Sequence, residues 1–328
     1  MSLISQATEA ERMYGARASN YDNSWHPQYA DRFAHVVNAQ PGQQILDLCC
    51  GTGLDLIPLA RALNTSTDPN DGGKIIGVDT TLQMLALAKG RLRAKNPELL
   101  PRVQLLHQNV LELDRLFQEP VNMRPHSFDT IVCSNAFVLF KNPHAAVAHW
   151  KQFLKKPVYA AAMHDPNDTH EGHESHRGVH HSEPGGKLVI DIPHEFAQRS
   201  GLAMERAALR MALRFPSNRS WVTSVQSFSK VLEHNNRYRV ERVVELDHVT
   251  GRGTRYYTAH DVDALFDHMS QSAAFKVMAD GAGPNTNLET VKQKAKPIFR
   301  DEFMKFAGED GRILETDIMY VYVARLTS

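Results

Sequence analysis

One stretch constrains this chain more than any other: Ile45-Leu46-Asp47-Leu48-Cys49-Cys50-Gly51-Thr52-Gly53. An apolar run of β type carries a carboxylate, a tight glycine-containing turn follows, and a helical pattern begins at Leu54. Glycine is needed in such a turn because a side chain would keep the backbone from closing on a ligand. The helix beyond the turn aims its unpaired N–H groups into the same space. The stretch therefore reads as the first strand, ligand loop and first helix of an open α/β sheet, whose ligands bind beyond the carboxyl ends of the strands. A dinucleotide loop spells G-x-G-x-x-G. Gly51 and Gly53 are present, but Leu56 stands where the third glycine belongs. The loop alone leaves its ligand open.

The rest of the chain supplies the expected partners in order. Lys74 to Asp79 reads as a second strand ending in an acid, placed to accept from vicinal ribose hydroxyls and equally to cap the next helix. Leu82 to Lys95 is an amphipathic helix stopped by Asn96-Pro97. Val103 to Val110 gives a third strand and its exit, His126 to Phe137 a fourth with Cys133 as a core thiol, and Lys187 to Asp191 a fifth. Helical patterns follow over Met204–Phe215, Trp221–His234, Tyr256–Met269 and Glu289–Ala307, with a β-rich run at Tyr238–Val249. Thr316 to Leu326 closes the chain as a strand in which Ile318, Tyr320, Tyr322 and Ala324 alternate with other residues. The fold class expected is a Rossmann-like, doubly wound α/β sheet. It is mostly parallel with an antiparallel last strand, and carries a helical N-terminal lid (1–40) and helical substrate-side additions (196–310), all within one domain of 1–328.

This ordered set resembles the class I S-adenosylmethionine-dependent methyltransferases. Asp47, Gly51 and Gly53 match their motif I, D/E-x-G-x-G-x-G, with Cys49 in place of the first glycine. The L-D-x-C-C-G-x-G spelling is similar to small-molecule enzymes of the ubiquinone/menaquinone-biosynthesis type. The leader Tyr14 to Asp22 resembles a Y-x-x-x-A-x-x-Y-D pattern of such enzymes, which makes Tyr14 and Tyr21 lid candidates; the same aromatics also suit a packed core. The resemblance implies S-adenosylmethionine as cofactor, bound by Tyr14, Tyr21, Asp47, Cys49, Gly51, Gly53, Asp79 and Thr80, with Met84, Asn109, Val110, Ser134 and Asn135. Asn109 stands where an aspartate is usual and offers an uncharged amide oxygen instead. Methyl transfer to a small acceptor, quinone-like or secondary-metabolite-like, at O, N or C, is the activity implied. Two alternatives stay open: a protein that binds the cofactor without transferring the methyl, and a nicotinamide-linked oxidoreductase.

A base is needed only if the acceptor must lose a proton. Among seventeen histidines, His194, just after the fifth strand, and His26, in the aromatic leader, are the candidates. Trp221 and Tyr256–Tyr257 suit an acceptor wall or a core equally. Residues 157–183 interrupt an otherwise continuous lead-in to the fifth strand and carry six histidines (among them His164, His170 and His181). Their loose spacing and lack of cysteine point to a flexible surface insertion with no metal site. Lys+Arg and Asp+Glu number 37 each, so no field favours nucleic acid. Three cysteines make no disulfide framework, the polar first residues are no signal peptide, and no apolar run nears the ~20 residues of a membrane span. A cytoplasmic enzyme is expected, and its oligomeric state is open.

Overall fold

Apolar residues alternate along the central strands and so divide two cores between the faces of one sheet. A computed structural model of the chain describes residues 6–63, 72–158, 183–247, 253–283 and 286–328. The His-rich stretch 159–182 and most of the loop after the first helix of the sheet, 64–71, lie outside the described residues. In chain order the elements are α1 (Gln6–Gly15), α2 (His26–Val37), β1 (Gln44–Leu48), α3 (Leu56–Ala62), β2 (Lys74–Asp79), α4 (Leu82–Lys95), β3 (Val103–His107), β4 (Thr130–Cys133) and α5 (Pro143–Trp150). Then come β5 (Lys187–Pro193), α6 (Arg199–Arg210), α7 (Ser227–Asn236), β6 (Tyr238–Asp247), β7 (Arg255–Tyr257), α8 (Val262–Met269), α9 (Ala273–Asp280), α10 (Leu288–Met304), β8 (Ile313–Glu315) and β9 (Ile318–Leu326).

The main sheet has seven strands in the order β3-β2-β1-β4-β5-β9-β6. β1 to β5 run parallel, and β9 is antiparallel to both β5 and β6. The expected antiparallel last strand is therefore present, inserted between β5 and the edge strand β6. Successive side chains of a strand point to opposite faces, and the cores follow that rule. Ile45, Val132, Val321 and Val323 pack with α2 and α3, whereas Leu46, Ile131, Tyr320 and Tyr322 pack with α5 and α7. From β1 the chain runs outward to β2 and β3, then returns to β4 on the other side. The carboxyl ends of β1 and β4 therefore flank the switch point where such sheets open a crevice.

A third core lies away from the sheet, where Ala203, Ala207, Phe266, Phe275, Phe299 and Phe303 bring α6, α8, α9 and α10 together. Two sequence expectations need correction here. Tyr256–Met269 is not one helix: Arg255–Tyr257 pairs with β8, and α8 starts at Val262. The pairing joins residues almost sixty positions apart, which helical periodicity cannot register. Residues 196–310 are also not wholly helical additions, since β6 belongs to the main sheet and β7 to the small one. The buried Arg219 fastens this region to the end of β5, its guanidinium donating to the carbonyls of Ala197 and of His194, the latter at 3.3 Å.

Candidate active site

A cleft with about 720 Å³ of empty space, its open mouth included, lies beyond the carboxyl ends of β1, β2 and β4. Eleven of the residues expected to hold a cofactor line it: Tyr14, Tyr21, Cys49, Gly51, Asp79 and Thr80, and with them Met84, Asn109, Val110, Ser134 and Asn135. Asp47 and Gly53 are buried and are not part of its lining. α1 adds Ala7 and Ala10, and the turn after β4 adds Leu139 and Phe140.

The loop after β1 is built on left-handed backbone, with φ of +60° at Cys49, +53° at Gly51 and +76° at Gly53. A Cβ on Gly53 would stand 3.2 Å from that of Ala88 on α4, so this glycine lets the helix approach. Asp79 pins the loop in place. Its Oδ2 accepts from the Gly51 N–H at 2.9 Å and its Oδ1 from the Thr81 N–H at 2.7 Å. Burial raises the Asp79 pKa while those N–H groups pull it back. Each carboxylate oxygen keeps acceptor capacity for a ligand hydroxyl. On β3's exit, the Asn109 amide oxygen takes the Leu111 N–H at 3.1 Å and its NH₂ donates to Glu112.

The leader forms a wall of rings. Tyr14 meets Tyr21 edge-on at 6.4 Å, Tyr21 lies 4.1 Å from His26, and His26 stacks on Trp25 at 3.9 Å. Asp22 ties this wall to the glycine loop: the Thr52 hydroxyl donates to it at 2.8 Å, and Arg91 of α4 pairs with its other oxygen. Burial pushes the Tyr14 hydroxyl up to about 12 and that of Tyr21 well above its ordinary value, so both rings stay neutral.

Beside the cleft a smaller cavity is lined by Tyr21, His26, Cys49, Asp55, Ser134 and Asn135, among others. It sits over a group of acids. Burial, with Asp191 adding to it, pushes Asp55 up to about 7. Asp191 is pushed up to about 6, again by burial, and is held by the Tyr29 hydroxyl at 2.7 Å, the Asn135 N–H at 2.7 Å and the Ser134 hydroxyl at 3.2 Å. Asp47 is fully enclosed, and burial with the nearby Asp55 and Asp79 raises it well above the carboxylate range. Asp47 Oδ2 and Asp55 Oδ1 are buried and find no hydrogen-bond partner among the described residues. Unpaired buried acceptors of this kind are costly, and they suit a ligand bearing positive charge.

Comparison with known proteins agrees with this geometry. The family model described as "Methyltransferase domain" matches residues 46–157, the span that holds the glycine loop, Asp79, Asn109 and the β4 exit. Over that span the chain is similar to methyltransferase domains. Demethylmenaquinone methyltransferases of Bacillus cereus and Bacillus anthracis are 35% and 33% identical to it over 88 residues. Those residues are 27% of this chain and 33% of either relative, so the chain spans about a third of the length of the curated relatives it matches. A Bacillus halodurans structure solved as a candidate methyltransferase aligns at 14% identity with a TM-score of 0.49, covering 91% of this chain and 99% of its own. The YcgJ protein of Bacillus subtilis gives 14% and 0.47, covering 92% and 99%. Likenesses at that level carry no functional weight, and the strand order stands on its own. The matched family and relatives lend nothing to a nicotinamide-linked oxidoreductase.

Not every expected residue meets at the cleft. His26 reaches the smaller cavity, but His194 is absent from both linings. Its ring lies over Tyr320 at 4.6 Å and its Nδ1 accepts the Phe196 N–H at 3.0 Å. Leaving β5 places the residue near the strand end; the local turn aims its ring toward β9. Trp221 donates to the Asn218 carbonyl and packs on Phe137 and Phe228, while Tyr256 is exposed under Arg312. Among the described residues no group of three or more His, Cys, Asp or Glu is placed to hold a metal ion. Sequence reading missed Asp22, Asp55 and Asp191. The signal for Asp191 was present, an acid inside the apolar run Leu188-Val189-Ile190-Asp191-Ile192. Asp55 carried none, because an acid opening a helix is ordinary capping chemistry.

Proposed function

We propose that the protein is an S-adenosylmethionine-dependent methyltransferase acting on a small-molecule acceptor. One observation carries the reading. Asp79 at the end of β2 and two neutral tyrosines line one crevice, and Asp55, with a buried unpaired oxygen, lines the cavity beside it. These groups fit the cofactor part by part. Asp79 would take the ribose hydroxyls, Asn109 and Val110 the adenine, and Asp55, with Asp47 behind it, the ammonium group. Tyr14 and Tyr21 would face the sulfonium, whose charge the ring faces attract.

When bound, the cofactor supplies a methyl group on a positively charged sulfur. The protein's part is then to orient and to exclude water. The glycine loop fixes position through the Asp79 clamp, and orientation of this kind can supply much of the rate. The rings of the leader, strapped down through Asp22, keep water from the methyl side. Where the acceptor must lose a proton, His26 is the group beside the crevice left to take it. His194, with its ring turned to Tyr320, is left without that role.

The acceptor is proposed at the level of class. The aligned relatives are named for demethylmenaquinone, which supports a quinone-like or similar small acceptor for this chain. Three free cysteines suit a reducing, cytoplasmic setting. The test is incubation with S-adenosylmethionine and a panel of quinol, phenol, amine and carboxylate acceptors, read by mass spectrometry of S-adenosylhomocysteine. Acceptor-dependent product is expected. Tight cofactor binding with no product across the panel would contradict transfer.

A further inference from the structure

The cofactor cleft continues beneath α1. Leu139, after β4, and Ala10, on α1, also line a small cavity with Glu9, Met13, Arg214 and Pro216. Leu139, Arg214 and Pro216 in turn line a wider groove between α6 and the segment 213–220. Three spaces thus stand in file, with Leu139 on each of them.

The groove has a definite character. Leu209, 75% exposed, forms an apolar floor with Leu213 and Phe215, and Arg206, Arg214 and Lys141 stand among them. The acid on its lining, Glu205, is already engaged: it accepts from the Ser217 hydroxyl at 3.1 Å and from the N–H groups of Arg219 and Ser220 at 3.0 and 3.2 Å. Its charge is therefore turned inward, and the surface left to a ligand is apolar and cationic. At the step from groove to cleft, Arg214 meets Glu9 of α1 at 3.2 Å. A carboxylate from the lid thus already sits on the arginine that the groove presents.

We propose that this file of spaces is the acceptor's route, and that the acceptor is an amphipathic organic anion whose acidic head is held by Arg214 and Arg206 while its apolar body runs past Leu139 toward the cleft. The inference rests on the methyltransferase reading and names its substrate class. Arginine pairs with a carboxylate or phosphate through charge-assisted hydrogen bonds, and an apolar lining with few convergent polar groups is the usual make-up of a small-molecule site. The Glu9–Arg214 pair is the contact that an incoming anion replaces.

The experiment is calorimetric titration of the full chain with decanoate and with decanol, both below their aggregation limits, and separately with S-adenosylhomocysteine. Decanoate is expected to bind and decanol to bind at least about tenfold more weakly, as for the loss of a charge-assisted hydrogen bond. Arg214→Gln should weaken decanoate by a similar factor, and Glu9→Gln should strengthen it severalfold by releasing Arg214; neither should change S-adenosylhomocysteine affinity. Arg206 also lies over the Phe306 ring at 5.1 Å, so the exposed Arg214 and the gain from Glu9→Gln carry the decision. Equal binding of decanol, or decanoate affinity indifferent to Arg214→Gln, overturns the proposal. No decanoate binding beside intact S-adenosylhomocysteine binding overturns the acceptor class alone. Arginine-dependent decanoate binding without S-adenosylhomocysteine binding sinks the methyltransferase reading instead and leaves an anion site.

Discussion

Asp55 changes what it means for this crevice to bind a cation. Its carboxyl is pushed up to about 7, so near neutral pH it is part protonated in the free protein. An ammonium group placed against it favours the charged form and expels the proton. Cofactor binding is therefore expected to release protons and to weaken as pH falls from 8 to 6, and Asp55→Asn should abolish both effects. Titration in two buffers of different ionisation heat measures the release; a heat independent of buffer at pH 7 would refute it. The loop offers a second contrast. Cys49 spends about 1–2 kcal/mol on its left-handed backbone, while glycine there costs about 0.5–1 kcal/mol through the unfolded chain. Cys49→Gly should thus be neutral to mildly stabilising by urea unfolding. Gly53→Ala, facing both its φ of +76° and Ala88, should lose about 1–3 kcal/mol.

At the scale of elements, side chains attach the N-terminal segment to the body of the sheet at several points. α2 is fastened through the Tyr29 hydroxyl on the Asp191 carboxylate of β5, and the leader through Asp22 on Thr52 and Arg91. Tyr29→Phe removes the shorter of two hydroxyl hydrogen bonds to the buried Asp191 Oδ2 and leaves that from Ser134, so it should cost about 1–2 kcal/mol in chemical unfolding; it should also push Asp191 further above about 6, because that hydroxyl favours the charged form. Asp22→Ala should spare thermal stability and weaken S-adenosylhomocysteine severalfold, since it loosens only the leader. Unchanged affinity would mean that the leader is no part of the site. The strands and α4 were legible because their apolar periods are long and uninterrupted: Lys74–Asp79 and Leu82–Lys95 match the observed elements end to end. β7 and α9 were not legible. A three-residue strand has too little period to show, and its partner β8 is remote in sequence. Within the site, the glycine loop and Asp79 were readable from local pattern. The acid cluster was not, because Asp47, Asp55 and Asp191 become one group only when β1, α3 and β5 pack.

For the whole molecule, those raised carboxyls set the direction of the pH dependence. An unfolded aspartate titrates near pH ~3.9, whereas Asp55 and Asp191 titrate at about 7 and about 6 in the folded chain. Between roughly pH 4 and 7 the folded state holds more protons than the unfolded, so these groups make stability fall as pH rises through that window. The melting temperature of the ligand-free protein should show this decline, and Asp55→Asn should flatten it. With equal numbers of acidic and basic residues, long-range attraction adds little, and binding should depend weakly on salt. The measurement that tests the central reading most directly is calorimetric titration with S-adenosylmethionine and, separately, with NADH, on the wild type and on Asp79→Ala. Saturable S-adenosylmethionine binding, lowered about tenfold or more by Asp79→Ala as charged hydrogen bonds are lost, together with no binding of NADH, is the predicted result. Failure to bind S-adenosylmethionine, or a preference for NADH, would contradict the cofactor assignment and leave the α/β fold without its proposed chemistry.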